Sequence, residues 1–312
     1  MALPGQRAAE GPTWIDAEAM FAMRHIVRNV PERLLNPTGR PGGYIGKKRG
    51  NGLEIVDVRL FSEGDDARHI DAAATARTAK THVRTFRDER DRAALLIADF
   101  RSAMLWGTKT RLRSVAAAGA LALVGWRVIE GGGRVSLMAE GCDGILYLPP
   151  RSREHAMAAT TAALEQTHRA SIAALEHGTL KEISIVAMLE QAIARSSSGT
   201  TIVLASSLDD ADAEFDQLLL AARRRFDIVV LLIRDRFEKA APRGAYPYLV
   251  IGEPESASMR WAFVPKTSEA RQDVRIDRLR SAGIDLRVID TDADWTDMAR
   301  VLETVDGPRS YR

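Results

Sequence analysis

Six consecutive apolar residues, Ile228 to Ile233, constrain this chain more than any other feature in it. Side chains on a strand alternate between its faces, so a strand apolar at every position needs cover on both. The run has counterparts in Ala94–Ala98, Arg134–Ala139, Ile145–Leu148, Thr201–Ala205 and Asp285–Asp290. Helical patterns lie near Arg111–Ile129, Arg153–Ala174, Ile183–Arg195, Asp210–Arg225, Ser268–Ala282 and Trp295–Thr304. Strands alternating with helices predict a doubly wound α/β domain with a mostly parallel sheet. Tyr248–Ile251 and Arg260–Val264 read as a late antiparallel edge hairpin, and no internal repeat is visible.

Upstream the texture changes. Asp16 to Val30 reads as an amphipathic helix with Asp16 as N-cap, Met20, Met23, Val27 and Val30 on one face, and Pro31 as its stop. The Met20/Met23 stripe fits a core face better than a partner groove. Asn36 to Gly52 is a Gly/Pro/Lys-rich loop. Leu53 to Arg92 is densely charged; LEIVDVRLF and THVRTF alternate like half-buried strands, and Asp71–Lys80 is alanine-rich and helical. The organisation expected is therefore 1–52, helix and loop; 53–92, charged segment; 93–305, α/β domain; and 306–312, tail.

Hydrophobic residues at 46% and charged residues at 28% describe a globular chain with a real core. Net charge is only +2, so nucleic acid or membrane binding would need a local patch. Lys47, Lys48 and Arg49 lack a stacking aromatic cluster beyond Tyr44, and a solvated loop is favoured over a nucleic-acid site. The single cysteine, Cys142, excludes an internal disulfide and a thiolate zinc site. No segment resembles a signal peptide or reaches the ~18 apolar residues of a membrane span. Val115–Trp126 reads as a buried helix, and a cytoplasmic location is expected.

Familiar catalytic motifs are missing. The sequence has no G-x-x-x-x-G-K-[ST], no G-x-S-x-G and no H-E-x-x-H. Gly131-Gly132-Gly133 falls between helix and strand, so it reads as a helix C-cap. The histidines His25, His69, His82, His155, His168 and His177 show no metal-ligand spacing and read as surface or structural residues. What remains is position, because open α/β sheets bind ligands at strand carboxyl ends near the point where strand order reverses. There the chain places Asp99, Arg101, Ser102 and Met104 after one strand, and Ser206, Ser207, Asp209 and Asp210 after another.

The stretch GLEIVDVRLFSEGDDARHIDAAATAR, from Gly52, followed by HVRTFRDER, resembles the family called domain of unknown function 58. The resemblance rests on Gly52-Leu53-Glu54, Val58-Arg59, Gly64-Asp65-Asp66, Arg68, Ile70-Asp71 and Thr75-Ala76-Arg77, and runs from about Gly52 to Leu302. Ala72 stands where the family has tryptophan, and Phe61 where it has its aromatic after the arginine. The resemblance implies a von Willebrand factor A-like fold and association with MoxR-type AAA+ ATPases. It also implies a Mg²⁺-binding D-x-S-x-S motif, which here reads D-F-R-S-A: Asp99 is kept, while Arg101 and Ala103 replace the serine ligands. Ser207 stands where many relatives carry an aspartate. A Mg²⁺ site tolerates few lost oxygen ligands, so an Arg101–Asp99 pair in place of the ion is expected, with neither metal nor other cofactor. Rescue of a Mg²⁺ site by Asp209 or Asp210 is the less favoured possibility.

The GDDARHID segment also reads as scaffold, with Gly64 in a tight turn, Asp65 and Asp66 capping, and Arg59, Arg68 and Arg77 pairing with Glu54, Asp57 and Asp71. Two functional classes follow. The first is a non-enzymatic adaptor that presents a client protein to a MoxR-type ATPase through an edge of Asp99, Arg101, Ser102, Ser207 and Asp209. The second is an enzyme, a hydrolase or nucleotide-binding protein, using the same crevice.

Overall fold

A computed structural model describes residues 13–29, 55–62, 65, 67–86, 93–142, 144–239, 241–248, 260–264 and 273–302. The described residues form two compact units, one from 1–37 with 92–312 and one from 38–91. The expectations for Asn36–Gly52, Gly64, Asp66 and the tail 306–312 fall outside the described residues.

The larger unit is built on a six-stranded sheet of order β10-β7-β6-β3-β4-β5. The strands are β3 (Ala93–Asp99), β4 (Arg134–Gly141), β5 (Gly144–Ser152), β6 (Thr201–Ser206), β7 (Asp227–Arg234) and β10 (Asp285–Asp290). All neighbours pair in parallel except β4 and β5. Alternation in β3 shows why the sheet must be covered twice. Ala94, Leu96 and Ala98 point into one core with Met157, Leu164 and Trp126, while Leu95 and Ile97 point into a second with Met188, Leu189, Phe215 and Leu219. Helices α4 (Arg113–Glu130), α5 (Arg153–Glu176) and α10 (Trp295–Val301) supply the first core; α6 (Ile185–Arg195), α7 (Ala213–Ala222) and α9 (Val274–Ser281) supply the second. The doubly wound α/β architecture read from the strand runs is the one observed.

Side-chain caps start the helices where the sequence changes texture. Ser184 accepts from the Ala187 N–H, Asp212 from Glu214 and Phe215, Asp273 from Arg275, and Asp294 from Asp297. Helix α4 ends in a Schellman turn: Gly132 adopts φ +79°, and the Gly133 N–H reaches the Val128 carbonyl at 2.8 Å. Residues Arg113 to Ile129 of this helix are all buried, and among the described residues no helix is long and apolar enough to cross a membrane.

The N-terminal helix and the late hairpin depart from expectation. The N-terminal amphipathic stretch is broken at Met23 into α1 (Ala17–Ala22) and α2 (Arg24–Asn29). Its apolar face nonetheless joins the first core through Ile15, Met20, Met23 and Val27, and the Trp126 indole donates to the Met20 carbonyl at 3.3 Å. The late hairpin is β8 (Gly244–Tyr248) with β9 (Arg260–Val264), so its first strand begins earlier than the apolar YLVI run. It forms its own two-stranded sheet rather than an edge of the main one, and is anchored by Tyr246 stacking edge-on to Phe237 of α8 (Arg236–Lys239) at 4.7 Å.

The smaller unit pairs β1 (Ile55–Leu60) antiparallel with β2 (His82–Phe86) and carries α3 (Ala72–Thr78). Asp71 caps α3 by accepting from the Ala74 N–H at 2.8 Å. Two ion pairs are ones the sequence did not suggest, while Glu54 and the side chain of Asp57, the other expected partners, fall outside the described residues. Arg59 grips both oxygens of Asp65 at 2.8 Å, and Asp71 pairs with Arg84 at 2.9 Å. The reason is local geometry: Asp65 lies in the turn that folds back on Arg59, where it also accepts from the Ser62 N–H.

Candidate functional site

Strand order reverses between β3 and β6. From β3 the chain crosses to β4 on one side, and after α6 it returns to β6 on the other. The loops after these two strands therefore diverge above a crevice. Register sets its floor: Asp99 ends β3 level with Glu140 on β4, and Ala98 is level with Ala205, one residue before Ser206 on β6.

Asp99 and Arg101 form the centre of the crevice. Asp99 is fully buried, and its Oδ1 accepts from the Arg101 backbone N–H at 3.1 Å and from Nε at 3.0 Å. Its Oδ2 accepts from Arg101 Nη2 at 2.9 Å and from the Ser206 hydroxyl at 2.6 Å. The Ser206 oxygen in turn accepts from the Leu208 N–H at 3.1 Å. On its outer edge the guanidinium meets Asp210, with Nη1 donating to Oδ2 and Nη2 to Oδ1 at 3.0 Å. Burial alone would lower the pKa of Arg101, but the bonds and charges of Asp99 and Asp210 outweigh it and hold the pKa above the usual arginine value. The two carboxylates also differ in exposure: the Asp99 side chain is 0% exposed and that of Asp210 is 46% exposed.

Beside this pair lies Glu140, also buried. One oxygen accepts from the Ile183 N–H at 3.0 Å, and the other makes no hydrogen bond among the described residues. Burial is the largest cause driving its carboxyl up to about 8; Asp99 and Glu182 add to the rise, while the Ile183 N–H and Arg101 oppose it. Arg101 Nε stands 4.0 Å from Glu140, at the limit of ion pairing. The shorter bonds to Asp99 and Asp210 claim the guanidinium, so Glu140 is mainly protonated at neutral pH. The loop between α5 and α6 also contributes Glu182, which accepts from the Ser102 N–H.

Ser207 and Asp209 face the other way. The Ser207 N–H points at Met104 Sδ, 3.1 Å away, and its carbonyl accepts from Arg275 Nη1 at 2.7 Å. Asp209 bridges Arg113 (2.7 Å) and Arg275 (2.6 Å), and both arginines also reach Glu238 at 2.6 Å. Arg113 is 2% exposed, donates to the Ala103 carbonyl at 2.8 Å and lies over the Trp106 ring at 4.1 Å. At the end of β7, buried Asp235 accepts from the Thr108 N–H (3.0 Å) and hydroxyl, the Thr291 hydroxyl (3.0 Å) and the Phe237 N–H (2.9 Å). Guanidinium–carboxylate links thus lash together the loops after β3, β6 and β7 and the start of α9.

Of the edge residues expected from sequence, the structure brings Asp99 and Arg101 into direct contact, places Ser102 on Glu182, and ties Ser207 and Asp209 to the flanking arginine network. Asp210, not Asp209, completes the Arg101 pair. Sequence reading missed Glu140, Glu182, Arg113, Arg275, Glu238 and Asp235. Only Glu140 carried a signal, an acidic residue ending an otherwise apolar strand. In the smaller unit, Thr75 accepts from the His82 N–H at 3.0 Å, Ile70 bridges to Val83, and Arg68 and Arg77 are exposed. Among the described residues no group of three or more His, Cys, Asp or Glu is arranged to hold a metal.

The fold and crevice define a doubly wound α/β protein whose strand-end site is organised around a buried arginine. The chain belongs to the family described as protein of unknown function DUF58, whose model matches residues 57–277. It is 30% identical over 154 residues to the uncharacterized proteins Rv1480 of Mycobacterium tuberculosis (strain H37Rv) and Mb1516 of Mycobacterium bovis. The match covers 48% of this chain and 48% of each relative, so the chain spans about half the length of these curated proteins. No solved structure matches the chain.

Proposed function

We propose that the protein is a non-enzymatic interaction module of von Willebrand A-like type that works in the cytoplasm as adaptor between a MoxR-type AAA+ ATPase and a client protein, without a metal ion. The observation that carries this reading is the Arg101 guanidinium seated between Asp99 and Asp210 at the switch point of the sheet. Both oxygens of Asp99 accept from Arg101, and one also accepts from Ser206. A hard divalent ion needs such lone pairs free and would stand against a permanent positive charge. The residues do not fit Mg²⁺. The Ser206 hydroxyl is buried and engaged on both sides, and the carboxylates of Asp99, Asp209 and Asp210 are tied to guanidinium groups. That is the chemistry of a rigid contact surface.

Affinity purification from the native cell tests the reading. An AAA+ ATPase is expected to co-elute with the unmodified chain and to be lost with the Arg101→Gln, Asp99→Asn double variant, which removes the crevice guanidinium without leaving a buried charge unpaired and whose fold is checked by circular dichroism. Capture unaffected by that change removes the crevice from the interface. Absence of any ATPase, or turnover of nucleotides or esters that is lost with the same change, overturns the adaptor reading.

A further inference from the structure

We propose that Asp210 is the resident occupant of a carboxylate seat on Arg101, and that an aspartate or glutamate side chain of a partner protein takes that seat in the bound state. The inference deepens the adaptor reading and rests on its assignment of the crevice as a contact edge.

The argument begins with the asymmetry of the two carboxylates. Asp99 is built into the end of β3, wholly buried, and further held by Ser206. Its charge neutralises Arg101 within the protein, and removing it would leave a buried cation alone. Asp210 has none of these commitments. Its side chain is 46% exposed and lies in the turn after Leu208, whose φ of +55° is a backbone state that leucine rarely adopts. The turn does not depend on Asp210 for its position, because Asp209 beside it is held by Arg113 and Arg275 and Ser207 by Arg275. Asp210 can therefore swing into solvent while the turn stays in place.

The seat that it would vacate is specific. Arg101 would keep its Nε and one Nη2 hydrogen on Asp99 and present Nη1 with the other Nη2 hydrogen outward, a planar two-pronged donor matched to one carboxylate. Water satisfies that edge poorly in a half-buried site, whereas an incoming carboxylate restores the hydrogen bonds and charge of Asp210. The exchange is isoelectric, so the crevice keeps its charge balance. Glu140 stays protonated nearby and adds no repelling charge at neutral pH.

The test uses the full chain and a capped tripeptide, acetyl-Gly-Glu-Gly-amide, with its glutamine counterpart as control, titrated against the Arg101 Nε–H resonance. An intramolecular competitor lowers apparent affinity by the fraction of time the seat is open. Asp210→Ala should therefore bind the glutamate peptide at least about tenfold tighter than the unmodified chain, and the glutamine peptide not at all. Asp210→Asn, which keeps the shape of the turn, should show the same direction. Arg101→Gln combined with Asp99→Asn, which removes both charges so that neither is left buried alone, should abolish binding in the Asp210→Ala background. Equal affinity in the unmodified and Asp210→Ala chains, equal binding of both peptides, or binding that survives loss of Arg101 overturns the proposal. The two readings separate cleanly: ATPase capture without peptide binding refutes the carboxylate seat alone, and peptide binding without ATPase capture refutes the adaptor role alone.

Discussion

Substituting Glu140 by glutamine should make the protein more stable at high pH and change it little in acid. Glu140 is 1% exposed, and its pKa rises from an ordinary 4.5 to about 8 because burial penalises the carboxylate. A raised pKa in the folded state means that the favourable contribution is complete below pH 4.5 and is lost as pH climbs through about 8. At about 1.4 kcal/mol per pH unit, that window is worth about 5 kcal/mol, an upper figure because water and the guanidinium relax around a newly formed charge. Half of it, about 2–3 kcal/mol, is the working expectation, or about 5–10 °C in Tm for a unit of this size. The glutamine introduced by Glu140→Gln cannot ionise and keeps the acceptor for the Ile183 N–H, so the charged neighbours Asp99, Arg101 and Glu182 are common to both proteins. The assay is urea unfolding of both at pH 4.5, 6, 7 and 8.5. The stability difference should grow steadily in favour of glutamine across this range. A difference that is flat with pH, or that favours glutamate above pH 7, refutes the reasoning and means that Glu140 is an ionised partner of Arg101.

The remaining expectations concern the loops and the core. Asp235→Asn should cost about 2–4 kcal/mol, since Thr108, Thr291 and the Phe237 N–H all donate to this carboxylate. Burial would raise the Asp235 pKa, but these donors lower it overall, so stability lost as acid protonates the wild-type group should not be lost in the variant. Gly119→Ala should cost about 1–3 kcal/mol and red-shift tryptophan emission, because the new Cβ would stand 2.1 Å from the Trp295 ring, over which Arg111 lies at 4.0 Å. Ser207→Ala should be neutral or stabilising by up to about 1 kcal/mol in thermal melts, since the buried hydroxyl makes no hydrogen bond among the described residues.

Local chemistry makes much of the fold legible in the sequence. Strand β7 announces its two-sided cover by being apolar at every position from Ile228 to Ile233, and Asp16 marks a helix start because a short side chain can reach the free N–H groups there; the caps Ser184 and Asp294 were not read. The crevice was legible by position and only partly by residue. Asp99 and Arg101 are two apart in sequence and lie at a strand end, so their pairing follows from local geometry. Asp210 and Glu140 reach the same place from other elements, and Arg275 the network beside it; apart from the strand-end positions of Asp210 and Glu140, nothing in a charge-rich sequence distinguishes them from surface carboxylates and guanidinium groups. The hairpin was misplaced for a related reason. YLVI is the more apolar run, yet cross-strand pairing begins at Gly244, opposite Val264, with Pro247 inside the pairing where a strand reading would break it.

The N-terminal helices bear on how the protein should be handled. A fragment trimmed to the family match, 57–277, would discard Ile15, Met20, Met23 and Val27 at one end and Ile289 and Met298 at the other. Their removal would strip the lid from Trp126, delete an outer strand, and leave a greasy scar across helix α4. Clumping of such a fragment on purification would reflect where the scissors fell, and expression designs should start no later than Trp14 and run past Leu302.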